Sequence, residues 1–242
     1  MALAYSDRAT TLLLDIEGTT TPVDYVFGVL FPYAQQHIAE FLASEGQRDP
    51  VQRDLCQLRQ EYELDLSHGE SLPAWDGADP IAAVSYLNYL MKLDRKSTGL
   101  KSLQGKIWNR GYQDGTLRSQ VFADVPPAFQ RWTEARKQIF IFSSGSVQAQ
   151  QLLFRYSEFG DLTTYLSGYF DTQTGPKRNA ASYEAIAAQI GQSSDRILFI
   201  SDVVDELRAA RVSGMQTLLS VRPGNPAQPS NDFPVITTFE GV

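Results

Sequence analysis

The sequence predicts an α/β protein: a doubly wound, mostly parallel, Rossmann-like sheet with an all-helical segment inserted after its first strand. Three observations predict this fold. Short apolar runs recur along the chain, and they are continuous rather than alternating, which is typical of strands covered on both faces. Each run ends at a polar turn, and helical patterns follow several of these turns. One connection between predicted strands is far longer than a crossover requires.

Five apolar runs are predicted strands, at 11–14, 138–142, 196–200, 215–221 and 235–239. Helical patterns lie between the later strands, at 147–156, 180–190 and 206–212. Alternation of strand, polar turn and helix indicates a parallel sheet with helices on both faces. The Pro-rich stretch 222–229 predicts a surface loop.

The inserted segment accounts for the long connection. About 120 residues separate the first two predicted strands, whereas a crossover needs about a dozen plus its helix. Apolar residues recur at helical spacing in three stretches: 26–42, 51–62 and 81–91. We therefore predict a helical cap at 22–121 and a catalytic core made of 1–21 and 122–242.

Composition excludes several classes of protein. The chain has 242 residues, of which 43% are hydrophobic and 20% charged, so neither a disordered nor a fibrous protein fits. Its formal net charge of −7 gives no electrostatic footprint for nucleic acid or for anionic lipid. The first eight residues lack the apolar core of a signal peptide, and no apolar run approaches the length of a membrane span. We expect a cytoplasmic protein.

The scarce residues restrict the possible metal sites. Cys56 is the only cysteine of the sequence, so neither an internal disulfide nor a Cys-rich zinc site can form, and we expect it to be a small packing residue. His37 and His68 are too few and too far apart for a histidine-based site, and we expect a structural role for His37. Any metal must then be held by oxygen, which favours Mg²⁺.

Polar residues follow the predicted strands where parallel sheets bind ligands, beyond the carboxyl ends. Asp15 and Glu17 follow the first strand, Ser143 and Ser144 the second, and Asp202 a later one. Carboxylates brought together there would raise one another's pKa unless a cation neutralised them. The pattern therefore predicts an oxygen-bound cation at this edge of the sheet.

These residue types suit phosphoryl transfer. Asp15 can act as a nucleophile that forms an aspartyl-phosphate, and Glu17 can protonate the leaving oxygen and then activate water. Ser143, where a strand passes into a helix, can bind phosphate together with backbone N–H groups. Lys177 supplies positive charge and Asp202 a metal ligand.

Each residue also has an ordinary structural interpretation. Asp15 and the serines can cap helices or turns, and an isolated lysine such as Lys177 is usually on the surface. Asp205 and Glu206 favour the positive end of the following helix, with support for the metal as an additional role. Their joint occurrence in chain order, each after its own strand, is what these interpretations leave unexplained.

The order of these motifs resembles that of the haloacid dehalogenase-like hydrolases. The motifs are Asp-Ile-Glu-Gly-Thr-Thr at 15–20, Ser-Ser-Gly-Ser at 143–146, Lys177 and Ser-Asp-Val-Val-Asp-Glu at 201–206. Most members carry Asp-x-Asp first; the Asp-x-Glu of this chain resembles the enolase-phosphatase E1 family. The segments 100–108, 111–115 and 121–127 resemble that family too, and the resemblance extends from Leu12 to about Leu219.

This resemblance implies a bifunctional enzyme of methionine salvage. It would enolise 2,3-diketo-5-methylthiopentyl-1-phosphate and then remove the phosphate, leaving the acireductone 1,2-dihydroxy-3-keto-5-methylthiopentene. The resemblance implies one Mg²⁺ per subunit and a monomer. By position, Asp15, Glu17 and Asp202 match the metal-associated carboxylates, with Asp15 also the nucleophile, and Ser143, Ser144 and Lys177 match substrate-binding residues.

Two alternatives remain open from the sequence. The first is a capped phosphatase of the same superfamily that acts on another small phosphate ester, such as a sugar phosphate. The second is a receiver-like module that accepts a phosphoryl group and retains it. The base that takes the C1 proton of the diketone is also open, with Glu17 as our candidate because its side chain reaches further than that of Asp.

Overall fold

The chain forms two compact units in the computed structural model, which describes residues 8–93, 95, 97–229 and 232–242. One unit contains residues up to Val26 and from Arg118 to Val242, and the other is Phe27–Leu117. Residues 1–7 lie outside the described residues. They include most of the first eight residues, in which we expect no signal peptide, and they form the start of the predicted core segment 1–21.

The first unit contains a six-stranded parallel sheet with the order β3-β2-β1-β4-β5-β6. The strands are β1 (Thr11–Leu14), β2 (Gln138–Phe142), β3 (Gly168–Phe170), β4 (Ile197–Ser201), β5 (Gln216–Ser220) and β6 (Val235–Ile236). In β1, Leu14 is the register partner of Ile141 in β2 and of Ile200 in β4. The carboxyl ends of these three strands therefore meet at one edge of the sheet.

Helices of the first unit cover both faces of this sheet. The α-helices of the described residues are α1 (Val23–Tyr25), α2 (Phe31–Glu45), α3 (Asp49–Ser67), α4 (Val84–Lys92), α5 (Thr98–Gln113), α6 (Val125–Glu134), α7 (Val147–Arg155), α8 (Ala180–Ile190) and α9 (Val204–Val212). Leu12 and Leu14 of β1 belong to a buried cluster with Phe129 of α6, whereas Leu13 belongs to another with Tyr183 of α8. Burial on both faces explains the continuous apolar run of β1 and confirms the predicted doubly wound α/β class.

Three elements of this unit differ from the prediction. The sequence did not predict β3, which has three residues including Gly168 and forms no apolar run. It did not predict α6 either, although prolines at the start of a helix are compatible with it because their missing N–H groups have no partner there. The predicted strand 235–239 was wrong beyond Ile236, since β6 has two residues.

The second unit is helical and contains α2 to α5. The helical pattern predicted at 26–42 is confirmed, but its first five residues, Val26–Leu30, form a π-helical turn before α2. Pro32 cannot donate an N–H to the carbonyl of Gly28, so a continuous α-helix would lose that hydrogen bond. Cys56 is exposed, so its predicted packing role was wrong. None of the helices in the described parts of the chain is long and apolar enough to cross a membrane.

Candidate active site

Asp15 directly follows β1, and its side chain is buried and held at both carboxylate oxygens. Its Oδ1 lies 2.7 Å from Nζ of Lys177 and accepts a hydrogen bond from the backbone N–H of Ile16 at 2.8 Å. Its Oδ2 accepts a hydrogen bond from the Ser201 hydroxyl at 2.9 Å. The carboxylate therefore has a fixed orientation at the edge where β1 and β4 end.

The segment 15–21, which we call the nucleophile loop, is held together by hydrogen bonds between its own backbone groups. The carbonyl of Ile16 accepts hydrogen bonds from the N–H groups of the three consecutive residues Thr19, Thr20 and Thr21. The Thr20 hydroxyl donates to the carbonyl of Asp15 at 3.1 Å, which agrees with an orienting role for this threonine. Glu17 lies in this loop, partly buried.

Lys177 is a buried residue rather than a surface lysine. Its Nζ lies 2.7 Å from Asp15 Oδ1 and 2.7 Å from Glu206 Oε2. Burial lowers the pKa of Lys177, but the attraction of the two carboxylates outweighs burial and the pKa is raised. The lysine therefore carries a full positive charge beside Asp15.

Glu206 is the residue that sequence reasoning underestimated. The prediction grouped it with Asp205 near the start of a helix, yet Glu206 is buried against Lys177, and its Oε2 lies 3.1 Å from the Ser201 hydroxyl. Burial and the charge of Asp15 raise the pKa of Glu206 to about 7, against the attraction of Lys177. Asp205 is exposed and pairs with Arg208 at 2.9 Å.

A usable signal for Glu206 was its place in the first turn of the helix that follows β4. An acid in that turn lies near the carboxyl end of the strand, where the other predicted site residues also lie. The sequence gives no measure of how deeply that face is buried, which depends on the packing of α9 against β4 and β5.

Asp202 adds a further buried carboxylate. It follows β4, the strand next to β1. Burial, followed by repulsion from Asp15, raises the pKa of Asp202 to about 7, with Lys177 opposing. Lys177 thus pairs with Asp15 and Glu206, and Asp202 adds a third buried carboxylate to this acidic cluster. The excess of buried negative charge suits a bound cation.

The oxygen donors present fit Mg²⁺. The described residues contain no group of three or more His, Cys, Asp or Glu side chains spaced to hold a metal ion. Mg²⁺ does not require one, because it usually takes one or two carboxylates and completes its octahedron with water and phosphate oxygens. Asp15 and Asp202 can supply that pair. Glu17 is the weakest of the charges that raise the pKa of Asp202, and its role as a ligand stays a prediction.

The turn after β2 contains the two predicted phosphate-binding serines. Ser143 is buried, and its hydroxyl accepts a hydrogen bond from the N–H of Gly145 at 3.2 Å, while Ser144 is partly exposed in the same turn. Ser146 caps α7. The Gln150 amide donates to the carbonyl of Gly145 at 2.9 Å and so fixes the turn. A rigid turn at the start of a helix suits an anion, and phosphate binding by these serines stays a prediction.

Comparison with known proteins identifies the family. The model of the haloacid dehalogenase-like hydrolases matches residues 9–214. The chain is 61% identical to Enolase-phosphatase E1 of Synechococcus elongatus over 96% of both chains. The chain belongs to the enolase-phosphatase E1 family of the haloacid dehalogenase-like hydrolases. It is therefore an enzyme of the hydrolase class.

More distant relatives share the similarity along the chain. A Vitis vinifera protein, named as a probable bifunctional methylthioribulose-1-phosphate dehydratase/enolase-phosphatase E1, is 42% identical over 96% of this chain and 46% of its own. Among solved structures, the UTR4 protein of Saccharomyces cerevisiae is 34% identical and superposes with a TM-score of 0.79, covering 97% of this chain and all of that one. Membership of the enolase-phosphatase E1 family removes the receiver-like alternative.

Gly18 allows the nucleophile loop of this enolase-phosphatase E1 family member to approach Asp202 of the acidic cluster. It has a φ of +68°, and a Cβ there would lie 2.4 Å from Asp202 Oδ2. We expect Gly18→Ala to displace the Asp202 carboxylate and to lower phosphatase activity by about a hundredfold, the usual cost of a misplacement of about 1 Å. The measurement is the rate of phosphate release.

Gly191→Ala is the matched control for this substitution. Gly191 ends α8 with a φ of +75°, and a Cβ there meets no atom of a described residue within 4 Å. This variant therefore carries the backbone strain without the collision. Equal activity of the two alanine variants would contradict the proposed close approach of Gly18 to Asp202.

Proposed function

We propose that the protein is a magnesium-dependent bifunctional enolase-phosphatase of methionine salvage. It converts 2,3-diketo-5-methylthiopentyl-1-phosphate, through the enol phosphate, to the acireductone 1,2-dihydroxy-3-keto-5-methylthiopentene and phosphate. The observation that carries this proposal is the 61% identity to Enolase-phosphatase E1 over 96% of the chain, which includes the helical unit as well as the sheet. The name of the Vitis vinifera relative supports the substrate, because loss of water from methylthioribulose 1-phosphate gives a diketo methylthiopentyl phosphate.

Asp15 is the proposed nucleophile. Its carboxylate attacks phosphorus, the bond from phosphorus to the substrate oxygen breaks, and an aspartyl-phosphate forms. The hydrogen bonds from Ile16 and Ser201 and the ion pair with Lys177 hold the carboxylate oriented before the attack. Lys177 also offsets the negative charge that builds up when a carboxylate approaches a phosphate dianion.

Glu17 is the proposed acid and base. It takes the proton from C1 of the diketone in the enolase step, and in the phosphatase step it protonates the leaving oxygen and then takes a proton from the water that hydrolyses the aspartyl-phosphate. Its place two residues after Asp15 in a loop closed by backbone hydrogen bonds supports this assignment. Ser143 and Ser144, in the turn after β2, are the proposed binders of the phosphate oxygens.

One Mg²⁺ per subunit is the proposed cofactor, held by Asp15 and Asp202 with Glu17. When bound, it supplies Lewis-acid stabilisation of the enolate and neutralises charge on the transferring phosphate. The excess of carboxylates over lysine around Asp15 supports this assignment.

The helical unit is the proposed cap, predicted at 22–121. We also propose a monomer that acts in the cytoplasm on a small phosphate ester, without nucleic acid or membrane as partner. The net charge of −7 supports the absence of an anionic partner.

A comparison of substrates tests this proposal against the other capped phosphatases. We expect the diketone phosphate with Mg²⁺ to be turned over at least about a hundredfold faster, in kcat/KM, than sugar phosphates or phosphoglycolate, because binding energy from the whole substrate is used in the transition state. Rapid hydrolysis of a sugar phosphate, with none of the diketone phosphate, would favour a different substrate.

Glu17→Asp separates the two half-reactions. The shorter side chain withdraws the carboxylate by about one bond length, so we expect enolisation to slow more, by about tenfold, than hydrolysis of a preformed enol phosphate. Both rates are measured separately, with the exposed Glu184→Asp as control. Equal losses in the two half-reactions would remove Glu17 as the base for C1.

A further inference from the structure

The loop after β5 holds the nucleophile loop through its backbone carbonyls. We call residues 220–225 the β5 loop. The Asn225 amide Nδ2 donates to the carbonyl of Gly18 at 2.9 Å, and the Ser220 hydroxyl donates to the same oxygen at 3.1 Å. Arg222 Nε donates to the carbonyl of Thr19 at 3.2 Å. Two successive carbonyls that follow Glu17 are thus fixed from one neighbouring segment.

The β5 loop is anchored at Arg222, although most of the stretch 222–229 is exposed, as the predicted surface loop requires. The side chain of Arg222 is 2% exposed and forms an ion pair with Asp124 at 2.9 Å. Its guanidinium carbon lies 4.7 Å from the ring centroid of Phe122 and 4.5 Å from that of Phe239. Cation–π contacts and a buried ion pair of this kind make the loop a rigid support.

Asn225 has a second polar atom that the described residues leave unused. Its Oδ1 is buried and accepts no hydrogen bond from any residue in the described ranges. The orientation of the amide follows from its other end, since Nδ2 donates to the carbonyls of both Gly18 and Ser220, the latter at 3.4 Å.

This unused oxygen lies beside a predicted metal ligand. Asn225 Oδ1 and Asp202 Oδ2 lie 2.9 Å and 2.4 Å from the position that a Cβ on Gly18 would occupy. A buried oxygen without a donor is unfavourable by itself, and it becomes favourable beside a hydrated cation.

We propose that Asn225 is a positioning residue of the cation site, which fixes the Gly18 carbonyl with its Nδ2 and adds a neutral oxygen beside Asp202 with its Oδ1. Ser220 is the secondary support of the same carbonyl. This inference rests on the proposed function, because it assumes that the acidic cluster binds Mg²⁺. Residues that orient metal ligands typically change metal affinity by about 10- to 100-fold when they are removed.

A thermal titration with Mg²⁺ alone tests the inference without substrate. The full chain is freed of metal with a chelator, and its unfolding temperature is followed as MgCl2 is added, which gives the half-saturating concentration. We expect Asn225→Ala to raise that concentration at least about tenfold and Ser220→Ala at least about threefold. Gln216→Ala is the matched control, because Gln216 at the other end of β5 also donates its amide to a backbone carbonyl, that of Asp195, at 2.7 Å.

The outcomes separate this inference from the proposed function. Weaker Mg²⁺ binding by the Asn225 variant, with Gln216→Ala unchanged, supports the positioning role. If Asn225→Ala does not fold, the threefold change expected of Ser220→Ala decides the question. If the half-saturating Mg²⁺ concentration of Asn225→Ala stays within about twofold of that of the unaltered protein, and only the unfolding temperature falls, the β5 loop has a purely structural role and the inference is overturned. If the unaltered protein binds no Mg²⁺, both the inference and the metal assignment are overturned.

Discussion

Asp15→Asn is expected to lower phosphate release by at least about a thousandfold. The amide has nearly the shape of the carboxylate but cannot act as the nucleophile that forms an aspartyl-phosphate. Lys177 keeps its ion pair with Glu206 at 2.7 Å, so the variant should fold. The measurement is the phosphate released from the diketone phosphate in the presence of Mg²⁺.

Asp205→Asn is the matched control for this loss of activity. Asp205 is an exposed acid in the first turn of α9, paired with Arg208 and outside the buried cluster. We expect this control to retain activity within about twofold, as is usual for exposed ion pairs. Substantial phosphate release by Asp15→Asn, at the rate of the control, would remove Asp15 from the role of nucleophile.

Lys177→Met is expected to lower the free energy of unfolding by about 3–5 kcal/mol and to abolish phosphatase activity. Methionine fills a similar volume, but Asp15 and Glu206 would be left buried without their ammonium partner. Removing one partner of a buried ion pair is strongly destabilising because the remaining charge is uncompensated. Urea unfolding in the presence of a chelator measures the change.

A second substitution separates charge from packing in this prediction. Glu206→Gln added to Lys177→Met removes one uncompensated carboxylate, so we expect the double variant to recover part of the lost stability but none of the activity. Lys92→Met, at an exposed lysine of α4, is the control for the substitution itself. If the double variant is no more stable than Lys177→Met, repulsion between buried carboxylates is not the cause of the loss.

The sheet was predictable where strands are buried on both faces. The central strands β1, β2 and β4 are continuous apolar runs because Leu13 and its neighbours pack against helices on both sides. Strand β3 escaped prediction because it has three residues, of which Gly168 carries no side chain. Strand β3 is held in the sheet by its pairing with β2, which its own sequence does not indicate. The π-helical turn before α2 was not predicted for a different reason. The spacing of apolar residues gives no information on the missing N–H of Pro32.

The candidate site was predictable to the extent that its residues follow strands. Asp15, Ser143 and Asp202 were placed at the edge of the sheet because the carboxyl ends of parallel strands meet there. Glu206 and Asn225 were not, since their contacts depend on tertiary packing. Glu206 is buried by the docking of α9, and Asn225 reaches Gly18 across a sequence separation of 207 residues. An acid soon after β4 indicates that Glu206 lies near the site, but no local sequence pattern shows its contact with Lys177 or the contact of Asn225 with Gly18.

The bifunctional enolase-phosphatase activity is tested most directly by an assay that follows both half-reactions at once. The unaltered protein is mixed with 2,3-diketo-5-methylthiopentyl-1-phosphate and Mg²⁺, and enol absorbance and free phosphate are recorded over the same time course. We expect enol absorbance to appear first, phosphate then to accumulate to one equivalent of the substrate, and a chelator to prevent both. Phosphate released without an enol, or unchanged turnover after removal of the metal, would contradict this expectation.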